Sequence, residues 1–148
     1  MRRLWSDADA AEFVAYIDGG ARGNPGPAGY GVRIEDASGT LVEELHGGIG
    51  IATNNIAEYN GLLAALRWAK DHGAQALHVR ADSELLVKQM RGEYRVKHPG
   101  LQPLHGQARA LVADIGVVTF EHVRREKNRE ADRLSNLGMD ESEARLRT

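Results

Sequence analysis

The sequence predicts an α/β domain, a mixed sheet of five strands with helices packed on it. Three observations lead there. Through about residue 50 the apolar residues alternate or run together, and beyond it they recur at a helical spacing. Two apolar runs, Phe13–Ile17 and Leu77–Ala81, each end in an aspartate. The 148 residues are 42% hydrophobic and 27% charged, which suits one globular core and neither a disordered nor a membrane chain. At this length folding buries roughly two-thirds of the unfolded chain's surface, so no staple is needed.

The elements follow in order. Glu12 to Gly20 reads as a strand buried on both faces, closing in Asp18-Gly19-Gly20. Ala21 to Gly29 is dense in glycine and proline and predicts a tight connection. Gly29–Glu35 and Thr40–Ile49 read as two further strands joined by a turn at Asp36-Ala37-Ser38-Gly39, completing an antiparallel meander. Thr53 or Asn54 caps a helix reaching about His72, where Gly73 ends it, with Leu62, Leu63, Leu66 and Trp68 as anchors. Leu77 to Ala81 is a fourth strand, and Ser83 to about Arg91 a short helix. After a loop at Pro99-Gly100, Pro103–Asp114 is helical, Val117–His122 is the fifth strand, and Asn128–Leu137 is the last helix. Residues 1–11 read as a loose N-terminal tail, 12–137 as the folded domain and 138–148 as a charged, frayed C-terminal tail.

Composition narrows the function classes. The chain has no cysteine, which removes disulfides, thiolate catalysis and cysteine-bound zinc, and suits a reducing compartment. Met1-Arg2-Arg3-Leu4-Trp5-Ser6-Asp7 has no apolar run behind its arginines, so no signal peptide or membrane span is expected and cytoplasmic residence is the default. A formal charge of −2 gives no global footprint of a nucleic-acid binder, so polyanion binding would need a local patch. The glycine-rich stretch after Gly19 lacks the Gly-Lys-Ser/Thr ending of a phosphate-binding P-loop. Six histidines lie without metal-ligand spacing, which argues against zinc, and Tyr59 and Trp68 read as packing residues.

Four acids stand where an acid is awkward: Asp18 and Asp82 at strand ends, Glu58 near a helix start beside apolar neighbours, and Asp132 near the start of the last helix. In an open α/β sheet, ligands gather at the carboxyl ends of the strands. Clustered carboxylates repel one another unless a cation neutralises them, and Mg²⁺ or Mn²⁺ suits oxygen donors. Two such ions roughly 4 Å apart would serve an in-line phosphoryl displacement. Each acid alone reads equally as a helix cap or a turn former.

Sequence context decides between these readings. Tyr16-Ile17-Asp18-Gly19-Gly20-Ala21-Arg22-Gly23-Asn24-Pro25-Gly26 resembles the opening motif of type 1 ribonucleases H. Thr53-Asn54-Asn55-Ile56-Ala57-Glu58-Tyr59, Ala81-Asp82-Ser83 and Asn128-Arg129-Glu130-Ala131-Asp132-Arg133-Leu134 resemble the second, third and fourth. The resemblance implies strand order 3-2-1-4-5 and catalytic Asp18, Glu58, Asp82 and Asp132 binding two Mg²⁺ or Mn²⁺ ions. It implies that Gly19, Gly20, Asn24, Asn54 and Asn55 line the groove that reads the RNA strand, with Thr53 on a phosphate of the DNA strand. The 2′-hydroxyl marks a strand as RNA, so contacts to it carry the selectivity. The implied activity is endonucleolytic cutting of the RNA strand of an RNA–DNA hybrid by a monomer, leaving 5′-phosphate and 3′-hydroxyl ends.

Two departures from that family stand out. Glu121 to Asn128 is short and lacks the His that many members carry before the last helix, like the short bacterial and archaeal form; Arg124 and Arg125 are the nearest charged candidates. The basic protrusion is reduced to Lys88, Arg91, Arg95, Lys97 and Arg109 around Tyr94, which reads either as a grip on the hybrid or as a solvated face. Two alternatives remain: a nuclease fold that binds without cutting, and a metal nuclease acting on double-stranded RNA or branched DNA.

Overall fold

The meander forms as expected, with β1 at Glu12–Ala21, β2 at Gly26–Asp36 and β3 at Leu41–Ala52, each antiparallel to the one before. In the computed structural model, which describes residues 12–148, the sheet has five strands in the order β3-β2-β1-β4-β5. The strands β4 (Ala76–Ala81) and β5 (Val117–His122) are parallel to β1. The proposed N-terminal tail, 1–11, lies outside the described residues. The helices are α1 (Asn54–Asp71), α2 (Glu84–Met90), α3 (Gln102–Ile115) and α4 (Arg129–Leu146), the last preceded by a 3₁₀ turn at Arg125–Lys127.

Alternation along β1 assigns its two faces. Ala15 and Ile17 are buried in the main core with Tyr59, Leu62, Leu63 and Leu66 of α1. Phe13 meets Trp68 edge-on, with ring centroids 5.0 Å apart. Thr53 caps α1 by accepting a hydrogen bond from the Ile56 N–H, and Gly73 (φ 67°) follows its end, as the sequence predicts. Tyr59 packs rather than binds, its hydroxyl donating to Gln89 Oε1 at 2.6 Å. The opposite face, toward which Asp18 and Gly20 point, is covered by α4.

Three boundaries differ most from expectation, one being the end of β3 at Ala52 rather than Ile49. β2 begins at Gly26 rather than Gly29, because the loop reverses so tightly that a Cβ at Gly26 would lie 2.0 Å from the Arg22 carbonyl oxygen. The larger correction is the C-terminal tail. Residues 138–146 continue α4 instead of fraying, and Gly138, Met139 and Ser142 are buried. Gly138 is no helix stop: it is where α4 crosses the meander, and a Cβ there would sit 2.4 Å from the Gly47 carbonyl oxygen. Ser142 donates to the Ala28 carbonyl and accepts from the Gly50 N–H, so the polar-looking end of the helix is stitched to β2 and β3. No helix among the described residues is long and apolar enough to cross a membrane.

Candidate active site

Parallel pairing brings the first two carboxylates together. Ile17 of β1 lies opposite Ala81 of β4, so Asp18 and Asp82, the next residues, leave adjacent strands at one level. Gly19 brings in the third. A Cβ there would lie 2.3 Å from the Ala57 carbonyl carbon, so only glycine lets the first turns of α1 descend onto β1 with Glu58. Asp18, Glu58 and Asp82 share a small cleft with Ser83, floored by Ile17 and Leu86. Asp132, in the first turn of α4, adds its charge from the exposed side.

Burial and neighbouring charge act on two of these acids, Asp18 and Glu58. Burial, then the charges of Asp82 and Asp132, push the Asp18 carboxyl up to about 7, against the opposing pull of the Ser135 hydroxyl and the Gly19 N–H. Burial and then Asp82 push Glu58 up to about 7 as well, with Ser83 and the guanidinium of Arg125 pulling the other way. The structure therefore brings Asp18, Glu58 and Asp82 into one cleft and sets Asp132 outside it, near enough for its charge to act on Asp18. It also turns Arg125, on the short loop without the family His, toward Glu58.

This donor set suits a hard divalent cation. It offers only carboxylate oxygens, and its uncompensated negative charge is what a cation would relieve. Among the described residues no three acids or histidines close around a point as a finished cage. An open set is what such an ion requires if it is also to take oxygens from water and phosphate.

A buried frame holds these acids, and sequence reading assigns it no role. The Asn128 amide, 1% exposed, donates to the Ile17 carbonyl at 2.8 Å and to Asp82 Oδ2 at 3.2 Å. Ser135, fully buried, donates to Asp18 Oδ2 at 2.9 Å. The legible signal is position: each falls on the α4 stretch that carries Asp132, where a polar residue facing the sheet needs a partner.

The six residues expected to touch nucleic acid gather beside this cleft. The Asn54 N–H donates to Asn24 Oδ1 at 3.0 Å, and Asn54 Oδ1 accepts from the Ala21 N–H at 2.8 Å. Gly20, Asn24, Thr53, Asn54 and Asn55 are thus on one partly exposed rim. Their amide and hydroxyl donors suit phosphate and sugar oxygens. Gly19 is buried, and its side-chain-free backbone serves the packing of α1 first.

The basic residues around Tyr94 are largely engaged within the fold. Lys88 pairs with Glu84 at 2.8 Å, Arg91 donates to the Phe120 carbonyl and Arg109 to the Met90 carbonyl. A cavity of about 470 Å³ bordered by Tyr16, Arg33 and Lys127 is roomier than the acidic cleft, but its Arg33 is already paired with Glu35. The smaller cleft is the better site because it gathers Asp18, Glu58 and Asp82, none of which borders the roomier cavity.

Comparison with known proteins agrees. Residues 16–138 match the family described as Reverse transcriptase-like. A bifunctional protein of Mycobacterium tuberculosis is 49% identical over 130 residues, 87% of this chain but 36% of the relative, so the chain spans about a third of that protein. Its N-terminal RNase H domain, solved as a fusion, superposes with a TM-score of 0.88 at 45% identity, covering 92% of this chain and 99% of the other. A ribonuclease HI of Halobacterium salinarum is 41% identical over 128 residues, 86% of this chain and 64% of the relative. LC11-RNase H1 from compost, solved in complex with an RNA/DNA hybrid, has a TM-score of 0.83 at 41% identity and covers 88% of this chain and 98% of its own. With the sheet order, the four motifs and the carboxylate cluster all in agreement, the chain belongs to the type 1 ribonuclease H family.

Proposed function

We propose that this chain is an endoribonuclease that hydrolyses the RNA strand of RNA–DNA hybrids and leaves 5′-phosphate and 3′-hydroxyl ends. It would act as a cytoplasmic monomer with two Mg²⁺ or Mn²⁺ ions held by Asp18, Glu58, Asp82 and Asp132. The carrying observation is the gathering of Asp18, Glu58 and Asp82 in one cleft, where burial first and the charge of Asp82 second push both Asp18 and Glu58 up to about 7. A pure binding surface gains nothing from holding uncompensated acids against a polyanion. Bound there, the cations supply Lewis acidity at the scissile phosphate and charge neutralisation.

The chain's own residues do the rest. Asn24 and Asn54 engage each other through Asn24 Oδ1 and the Asn54 main chain, which leaves both side-chain NH₂ groups to donate to sugar oxygens in the groove. The Thr53 oxygen accepts from the Ile56 N–H, and its own proton would be donated to a phosphate of the DNA strand. Asn55 extends this rim, and Gly19 and Gly20 bring the main chain close enough to meet 2′-hydroxyls. Arg125, whose charge acts on Glu58, would meet the phosphate there in the absence of a histidine loop.

The deciding assay compares an end-labelled hybrid with matched double-stranded RNA and DNA in Mg²⁺ or Mn²⁺. Hybrid cutting confined to the RNA strand, abolished by Asp18→Asn and by a chelator, is expected. Intact hybrid under each metal, with the protein folded, would favour the binding module; equal cutting of double-stranded RNA would widen the substrate class.

A further inference from the structure

Resting on that reading of the carboxylates as a cation site, we propose that Ser135 is a positioning residue for Asp18, holding its carboxylate in the orientation that binds a divalent cation. Ser135 is 0% exposed, on the face of α4 shared with Ala131, Leu134 and Gly138. Its neighbours on that face are apolar or small, and the gap over Gly31 is so tight that a Cβ at Gly31 would come within 2.4 Å of the Ser135 nitrogen. Alanine would satisfy that packing. A hydroxyl placed there is costly unless it is hydrogen-bonded, so the bond it makes is informative.

Two acceptors lie in reach of its single proton. Asp18 Oδ2 is at 2.9 Å and the Asp132 carbonyl, one turn back, at 2.8 Å. A bond to a carboxylate is roughly twice as strong as one between neutral groups, so Asp18 takes the proton whenever it is ionised, as it is when a cation is bound. That bond ties down one oxygen of Asp18 and leaves the other unbound by this contact. It also ties β1 to the helix that carries Asp132, three residues away on the same helix. One rigid element thus supplies the fourth acid and the hold on the first. The remaining buried serine of α4 serves as contrast: Ser142 engages only backbone, at Ala28 and Gly50.

Residues that orient a metal ligand typically contribute tenfold or more to metal affinity. The test is calorimetric titration of the full chain with Mn²⁺ at one fixed pH, with melting curves recorded alongside. Ser135→Ala and Ser135→Cys, the latter retaining bulk while weakening the donor, are expected to raise the Kd for Mn²⁺ about tenfold. Ser142→Ala is expected to lower the melting temperature and leave that Kd unchanged. The proposal is overturned if Ser135→Ala binds like the wild type, if Ser135→Cys restores wild-type binding, or if Ser142→Ala loses as much. A wild type without saturable Mn²⁺ binding, or Asp18→Asn binding as tightly as wild type, instead sinks the cation-site reading and takes the Ser135 proposal with it.

Discussion

The two faces of the sheet are packed by different means. Against α1 the strands meet large side chains, and Leu62, Leu63, Leu66 and Tyr59 are all at most 2% exposed. Against α4 the approach is closer: Leu134 and Met139 are buried, but Gly29, Gly31 and Gly48 on the strands face Ser135, Gly138 and Ser142 on the helix. The first face is held by apolar area removed from water. The second is held by close approach, buried hydroxyls and ion pairs such as Arg22 with Asp140 and Glu143. The Asp18–Ser135 contact and the placing of Asp132 depend on the second. A helix that rides close to the sheet can bring Asp132 and Ser135 within reach of Asp18, whereas a layer of leucines would hold it away.

Disturbing the close face should therefore do the most damage. Gly138→Val places a branched side chain against the Gly47 carbonyl and the Tyr30 nitrogen, both backbone atoms that have nowhere to move. A loss of more than about 4 kcal/mol in urea unfolding is expected, or failure to fold. A loss under about 1 kcal/mol would show that α4 can lift off and that close packing is not its anchor. On the other face Leu66→Ala leaves a cavity that partial collapse can relieve, and about 3 kcal/mol should be lost in the same experiment. If the leucine variant proves the more damaging of the two, the order of the comparison is reversed.

The same contrast explains what is legible in the sequence. Leu62, Leu66 and Trp68 announce α1 because large apolar residues at helical spacing mark a helix face that must be buried. Asp18 and Asp82 are readable because an acid closing an apolar strand is costly without a purpose. The extension of α4 is not readable. Gly138, followed by Asp140, Glu141 and Glu143, reads as a stop and a solvated tail, because glycine gives the same letter whether it ends a helix or admits a neighbouring strand. Gly26 misleads in the same way at the start of β2. Asn128 lies within a motif that assigns it no role, and Ser135 has no motif to mark it; only the fold shows that both point at acids.

Charge is the last contrast, and pH separates the carboxylate end of the sheet, to which α1 and α4 both bring acids, from the leucine core. Asp18 and Glu58 have native carboxyls pushed up to about 7, while the unfolded chain titrates each near its ordinary value of 3.8 or 4.5. Between those limits the native state binds more protons than the unfolded one, so without divalent cation stability falls as pH rises from about 4 to about 7 and then levels off. Below that window the contribution is fully present. Asp18→Asn removes one of the two groups, so its metal-free stability curve should be flatter across the window and lie about 1 kcal/mol above wild type at pH 8, even though cleavage is lost. Leu66→Ala, in the apolar core, should shift the whole curve down without changing its slope. Adding Mg²⁺ at pH 8 should raise the wild-type melting temperature and leave Asp18→Asn nearly unmoved, because bound cation stabilises only the state that binds it. Melting curves at pH 5 and pH 8 with and without Mg²⁺ decide the matter. A wild type as stable at pH 8 as at pH 5 in chelator would mean that water, rather than protein, surrounds these acids.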